Sequence, residues 1–89
     1  MTTRGPEDTT REAFRLFEDG RFPESLAVCN RLLEEAKDPA LEVLAATNLF
    51  HIGRYEDAEV FFRDLAVRMP DSSYVHSYLG KVLEARGGG

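Results

Sequence analysis

The chain has 89 residues, with 11 Lys and Arg against 16 Asp and Glu, and a formal net charge of −5. That length suffices for one domain with a modest core, since a folded chain this short buries only ~60–65% of its unfolded surface. The acidic residues are spread along the chain, and no Lys/Arg cluster forms the basic patch that nucleic acid or an anionic membrane surface requires.

Residues 1–7 are polar, include Gly5 and Pro6, and are expected to be disordered. Thr9-Thr10-Arg11-Glu12 fits a capping box, in which a threonine oxygen accepts a backbone N–H and the glutamate reaches back. Ala13, Phe14, Leu16 and Phe17 follow as an apolar stripe at helical spacing, and Asp19-Gly20 ends that helix. A second helix begins near Phe22, with Pro23 at a position where its missing N–H costs nothing. Its inward face is Leu26, Cys29, Leu32, Leu33 and Ala36, and Lys37-Asp38-Pro39 breaks it.

Asp38 caps a third helix carrying Leu41, Val43, Leu44, Ala45, Ala46, Leu49, Phe50 and Ile52. Being apolar on more than one side, it is expected to be the central, most buried helix, and Gly53 stops it. A fourth helix runs from about Glu56 to Met69, with Ala58, Phe61, Phe62, Leu65, Ala66 and Met69 inward, and Pro70 blocks its continuation. Asp71-Ser72-Ser73 starts a fifth, holding Tyr74, Val75, Tyr78, Leu79, Val82 and Leu83, and residues 87–89 are expected to be a flexible glycine tail. No segment alternates with period 2 long enough to be a strand, and the short turns require antiparallel neighbours. The expectation is an all-α fold of five helices.

The chain repeats itself. Gly20-Arg21-Phe22-Pro23-Glu24-Ser25 returns 33 residues later as Gly53-Arg54-Tyr55-Glu56-Asp57-Ala58. In that register Ala13 falls on Ala46, Leu16 on Leu49, Ser25 on Ala58, Cys29 on Phe62 and Leu32 on Leu65. A further step of 34 puts Ala46 on Gly80, Leu49 on Leu83 and Gly53 on Gly87. A period of this length with one turn and two helices per unit indicates a helical-hairpin repeat.

At these positions the chain resembles the tetratricopeptide repeat family. Its second unit matches best, with Ala46, Leu49, Gly53, Tyr55, Ala58, Phe62, Leu65 and Pro70, and Leu79-Gly80 resembles the family's leucine–glycine pair. The resemblance implies a right-handed superhelix of antiparallel helix pairs within a single domain at 8–86. Its units fall at about 6–38 and 39–72, with a half repeat at 73–86. The first unit departs from the pattern at Glu12 and Lys37, and Glu42 stands where the family places tryptophan.

The resemblance also implies a concave groove lined by the first helix of each unit. Carried over by position, that lining is Thr10, Phe14, Phe17, Val43, Leu44, Thr47, Phe50, His51, Tyr74, Tyr78 and Lys81. So apolar a wall suits an apolar peptide or an amphipathic helix. Thr10, Phe14, Leu44, Tyr74 and Tyr78 occupy the positions where some relatives hold a chaperone's C-terminal carboxylates with cations and amides. Burying a carboxylate there without a cation is costly, so such a clamp is not expected. The fifth helix presents Val75, Leu79, Val82 and Leu83 with no sixth helix in the sequence to cover them. Val75, Val82 and Leu83 are therefore expected to form an interface edge, for a partner helix or a homodimer.

His51 and His76 lack Cys, Asp or Glu at ligand spacing, so no metal site is expected. Cys29, the one cysteine, allows no internal disulfide and sits on an inward face as a small apolar residue. No phosphate loop or catalytic constellation stands out, so neither an enzyme nor a cofactor is expected. With no apolar N-terminal run, the expected location is cytoplasmic. The function expected is protein–protein interaction, as an adaptor or scaffold. The alternatives are a small dedicated chaperone resembling those of type III secretion needles, or a homo-oligomeric structural module using the fifth helix.

Overall fold

Local chemistry sets each helix end. Thr9 accepts the Glu12 amide at 3.1 Å and opens α1 (Thr10–Glu18). Asp38 accepts the Ala40 amide at 3.0 Å and opens α3 (Pro39–Ile52), and Ser72 accepts the Val75 amide at 3.2 Å to open α5 (Ser73–Gly87). Between them lie α2 (Phe22–Glu35) and α4 (Tyr55–Arg68). These come from a computed structural model that describes residues 9–87, among which there is no strand. The disorder expected of residues 1–7 and the tail residues Gly88 and Gly89 lie outside the described residues. Gly87 does not belong to a tail: it is the last residue of α5.

The two glycine turns are the same structure built twice. Gly20 has φ 81° and Gly53 φ 97°, in the left-handed region open to glycine at little cost. In each, the following arginine amide returns to a carbonyl five residues back, Arg21 to Leu16 and Arg54 to Leu49, both at 2.9 Å. The glycine amide itself reaches Phe17 at 3.0 Å or Phe50 at 3.1 Å. This pair of bonds is a Schellman motif, which satisfies the carbonyls left over at the helix end. The arginine side chains then pair with Glu24 and Asp57.

Each helix packs against its neighbours in the chain. Among the described residues the backbone of α1 also comes close to that of α3, and α3 to α5, whereas the backbones of α2 and α4 stay apart. The odd-numbered helices therefore converge on one side of the layer while the even-numbered ones splay apart.

α3 is the central helix, as its all-round apolar pattern requires. Leu41, Leu44 and Ala45 join Ala13, Leu16, Val28 and Cys29 in one core. Ala46 and Leu49 join Ala58, Phe62, Leu65, Val75 and Val82 in a second. Each large apolar side chain so buried contributes roughly 1.5–3 kcal/mol.

A polar thread crosses the first core. The buried Ser25 hydroxyl donates to the Ala13 carbonyl at 2.8 Å and accepts from the Asn48 amide at 2.8 Å, tying α1, α2 and α3 together. Asn48 Oδ1 is buried without a hydrogen-bond partner. A second polar link joins α3 to α4: the buried Glu42 carboxylate accepts from Arg68 at 2.8 Å, and Arg68 also holds Asp64.

Cys29 is fully buried and free. Burial pushes its thiol up to about 11, with the Ser25 hydroxyl opposing the rise. The thiolate is the reactive form, so Cys29 is expected to resist a thiol reagent in the folded chain and to react promptly in denaturant. Fast labelling under native conditions would mean that α2 opens locally.

Candidate functional site

The expected interface edge on α5 does not exist as such. Val75 and Val82 are fully buried, turned inward against α4. Of the three residues expected there only Leu83 reaches the surface, at 37% exposure. The phase of the helix explains the error. With Val75 and Val82 inward, the opposite face is Ser73, Ser77, Gly80 and Glu84, all exposed. Such a polar outer face is at home in water.

The open apolar surface lies on the other side. Phe14, Phe17 and Glu18 of α1, Ala40, Val43 and Leu44 of α3, and Met69, Ser72 and Tyr74 at the α4–α5 end enclose a cavity of about 430 Å³. Two of its walls are large rings left in water, Phe14 at 39% and Tyr74 at 46% exposure. They stand on helices that do not touch each other, with α3 as the floor between them. Leu44 is buried and forms that floor, while Phe17 and Val43 are half-buried.

The other expected groove residues take different parts. Thr47 is fully buried; its hydroxyl donates to the Val43 carbonyl at 2.8 Å, leaving its oxygen to accept from the Tyr74 hydroxyl at 3.1 Å. It positions Tyr74 without lining the cavity. Phe50 and Tyr78 are half-buried and meet edge to face at 5.5 Å. Tyr78 also stacks on the buried Phe62 at 5.6 Å. Thr10 is exposed at the start of α1, and Lys81 is exposed with its ammonium 5.6 Å from the Tyr78 ring centre. Glu18, Ala40, Met69 and Ser72 line the cavity without having been expected there. Only Glu18 carried a signal, falling one turn after Phe14 on the same face of α1.

His51 sits in the last turn of α3, beside rings of α1, α2 and α5. Its ring stacks on Phe22 at 4.5 Å and 11°, and lies 5.8 Å from Phe17 and 6.4 Å from Tyr78. Burial, and secondarily the Lys81 ammonium, hold this imidazole below the usual 6.5. The folded chain thus binds fewer protons there than the unfolded chain as pH falls below that value. Stability contributed by neutral His51 is present above the unfolded value and lost on acidification. The thermal midpoint is expected to fall between about pH 7.5 and about pH 5.5, and His51→Gln to flatten that fall. A midpoint indifferent to His51→Gln would contradict this placement of the ring.

Among the described residues no group of three or more His, Cys, Asp or Glu is placed to hold a metal. None of the described helices is long and apolar enough to cross a membrane. No protein-family model, no curated protein and no solved structure matches the chain.

Proposed function

We propose that this chain is a protein-interaction module, an adaptor or scaffold of the tetratricopeptide type, that holds an amphipathic helix or apolar peptide in the cavity between α1, α3 and α5. The observation that carries the reading is that cavity of about 430 Å³, with Phe14 and Tyr74 left in water on its walls. Keeping two large rings exposed across an apolar floor is unfavourable in the free chain and becomes favourable once a second apolar surface covers them. Convergence of the odd-numbered helices supports the right-handed superhelix that the repeat implies, with this cavity on its concave side. A helix laid into such a groove anchors through side chains at i, i+3 or i+4, and i+7.

The test uses a fluorescein-labelled synthetic helix with leucines at that spacing, followed by anisotropy. Phe14→Glu and Tyr74→Glu place a charge where the chain exposes a ring, so helical content should survive. Each is expected to weaken binding roughly thirtyfold or more, the ~2 kcal/mol of an interface anchor. Val60→Glu and Val67→Glu, on the exposed back of α4, should leave it unchanged. Binding that survives Phe14→Glu and Tyr74→Glu would end the proposal. Phe50→Glu and Tyr78→Glu would not serve, because both rings pack against the second core.

A further inference from the structure

Tyr74 stands where a helix gives a ring little support. It is the second residue of α5, so no preceding helical turn lies beneath its ring, which is 46% exposed. Two contacts hold it. The ring leans on Tyr78, one turn further on, at 4.8 Å and 33°. The hydroxyl reaches across to α3 and meets the Thr47 hydroxyl at 3.1 Å. Thr47 has a single proton to give, and it goes to the Val43 carbonyl at 2.8 Å, so Tyr74 is the donor between the two. The bond to its own helix fixes the rotamer of this β-branched side chain. What Tyr74 meets is therefore a buried oxygen held in one place.

Resting on the groove reading above, we propose that Thr47 is a positioning residue: its hydroxyl sets the Tyr74 ring in the binding pose before a partner arrives. Thr47 is fully buried and does not line the cavity, so it acts only through Tyr74. A wall already in place spares a ligand the cost of ordering it. Without the tether the ring samples its other staggered rotamers. The apparent affinity then falls in proportion to the fraction of chains that still hold the right one.

The free chain gives the first readout. Three-bond couplings across the Tyr74 Cα–Cβ bond should report a single rotamer. Thr47→Val, which keeps the shape and removes the hydroxyl, should average them at unchanged helical content. Thr47→Ser, which restores a hydroxyl, should return the single rotamer. Binding of the labelled leucine-striped helix gives the second readout. Thr47→Val and Tyr74→Phe should each weaken it roughly threefold to tenfold, the contribution of one neutral hydrogen bond. The double substitution should weaken it no more than either alone, because both remove the same bond. Thr47→Ser should bind like the unaltered chain. A single Tyr74 rotamer persisting in Thr47→Val, or effects of Thr47→Val and Tyr74→Phe that add, would overturn the positioning role while the groove stands. Weakening by Tyr74→Phe alone would mean that the hydroxyl meets the partner directly, which overturns it too. If the unaltered chain does not bind the helix, the groove reading itself fails and this role falls with it.

Discussion

Replacing Phe62 by alanine is expected to cost ~3–5 kcal/mol, the usual loss when a fully buried aromatic is truncated to a methyl group. Phe62 is the largest fully buried side chain, and it closes the second core by stacking on Tyr78 at 5.6 Å. A chain of this size has a total stability on the order of 4–13 kcal/mol. The substitution therefore removes a large share of it, and urea unfolding followed by circular dichroism should show a much earlier midpoint. Phe62→Leu keeps most of the volume and should cost clearly less. A loss under about 1 kcal/mol for Phe62→Ala would mean that α4 and α5 are not held together through this ring.

The second large effect concerns Ser25. Asn48 has one hydrogen-bond partner in the core, the Ser25 hydroxyl, and its Oδ1 already has none. Ser25→Ala would leave the whole buried amide unsatisfied, at a cost of roughly 1–3 kcal/mol. The Ala13 carbonyl would lose its side-chain donor in the same step. Asn48→Leu should behave differently, because it removes the orphaned group and leaves Ser25 donating to Ala13. In the Asn48→Leu background the cost of Ser25→Ala should shrink by about 1 kcal/mol or more, the non-additivity expected of residues in one network. Additive effects in this cycle would show that the two side chains do not interact.

The helix ends were legible because each rests on a local rule. The Thr9 cap, the Asp38-Pro39 start and the glycines at 20 and 53 act within a few residues of themselves, and their backbone bonds follow. The central place of α3 was legible too, since a helix apolar on all sides has nowhere else to go. What sequence could not supply was the phase of the last helix. Val75, Leu79, Val82 and Leu83 form one stripe on paper, yet the position of α4 turns Val75 and Val82 inward and leaves Leu83 at the edge. Gly87 matched a turn glycine by register, but α5 continues through it.

Contacts between distant residues were hidden for a related reason. Asn48 sits among apolar neighbours in α3, and only the packing of α2 brings Ser25 within reach. Glu42 stood out as a carboxylate in an apolar position, but its partner Arg68 lies 26 residues further on. The cavity is lined from α1, α3 and the α4–α5 end. The repeat pattern did not separate Thr47, which is buried and orients Tyr74, from Phe14 and Val43, which face the cavity. That distinction depends on how far each helix is rotated, which a periodic pattern fixes only to about one neighbouring position.

The most direct test of the groove is methyl-detected nuclear magnetic resonance on the chain as an amphipathic helix is added. The methyl groups of Val43, Leu44 and Met69 report on the cavity between α1, α3 and α5. Those of Leu26 and Val60 report on the cleft between α2 and α4 on the opposite side of the layer. The account predicts saturable shifts at Val43, Leu44 and Met69, with Leu26 and Val60 unmoved. Shifts confined to Leu26 and Val60 would place the binding surface on the wrong face of the molecule and contradict it.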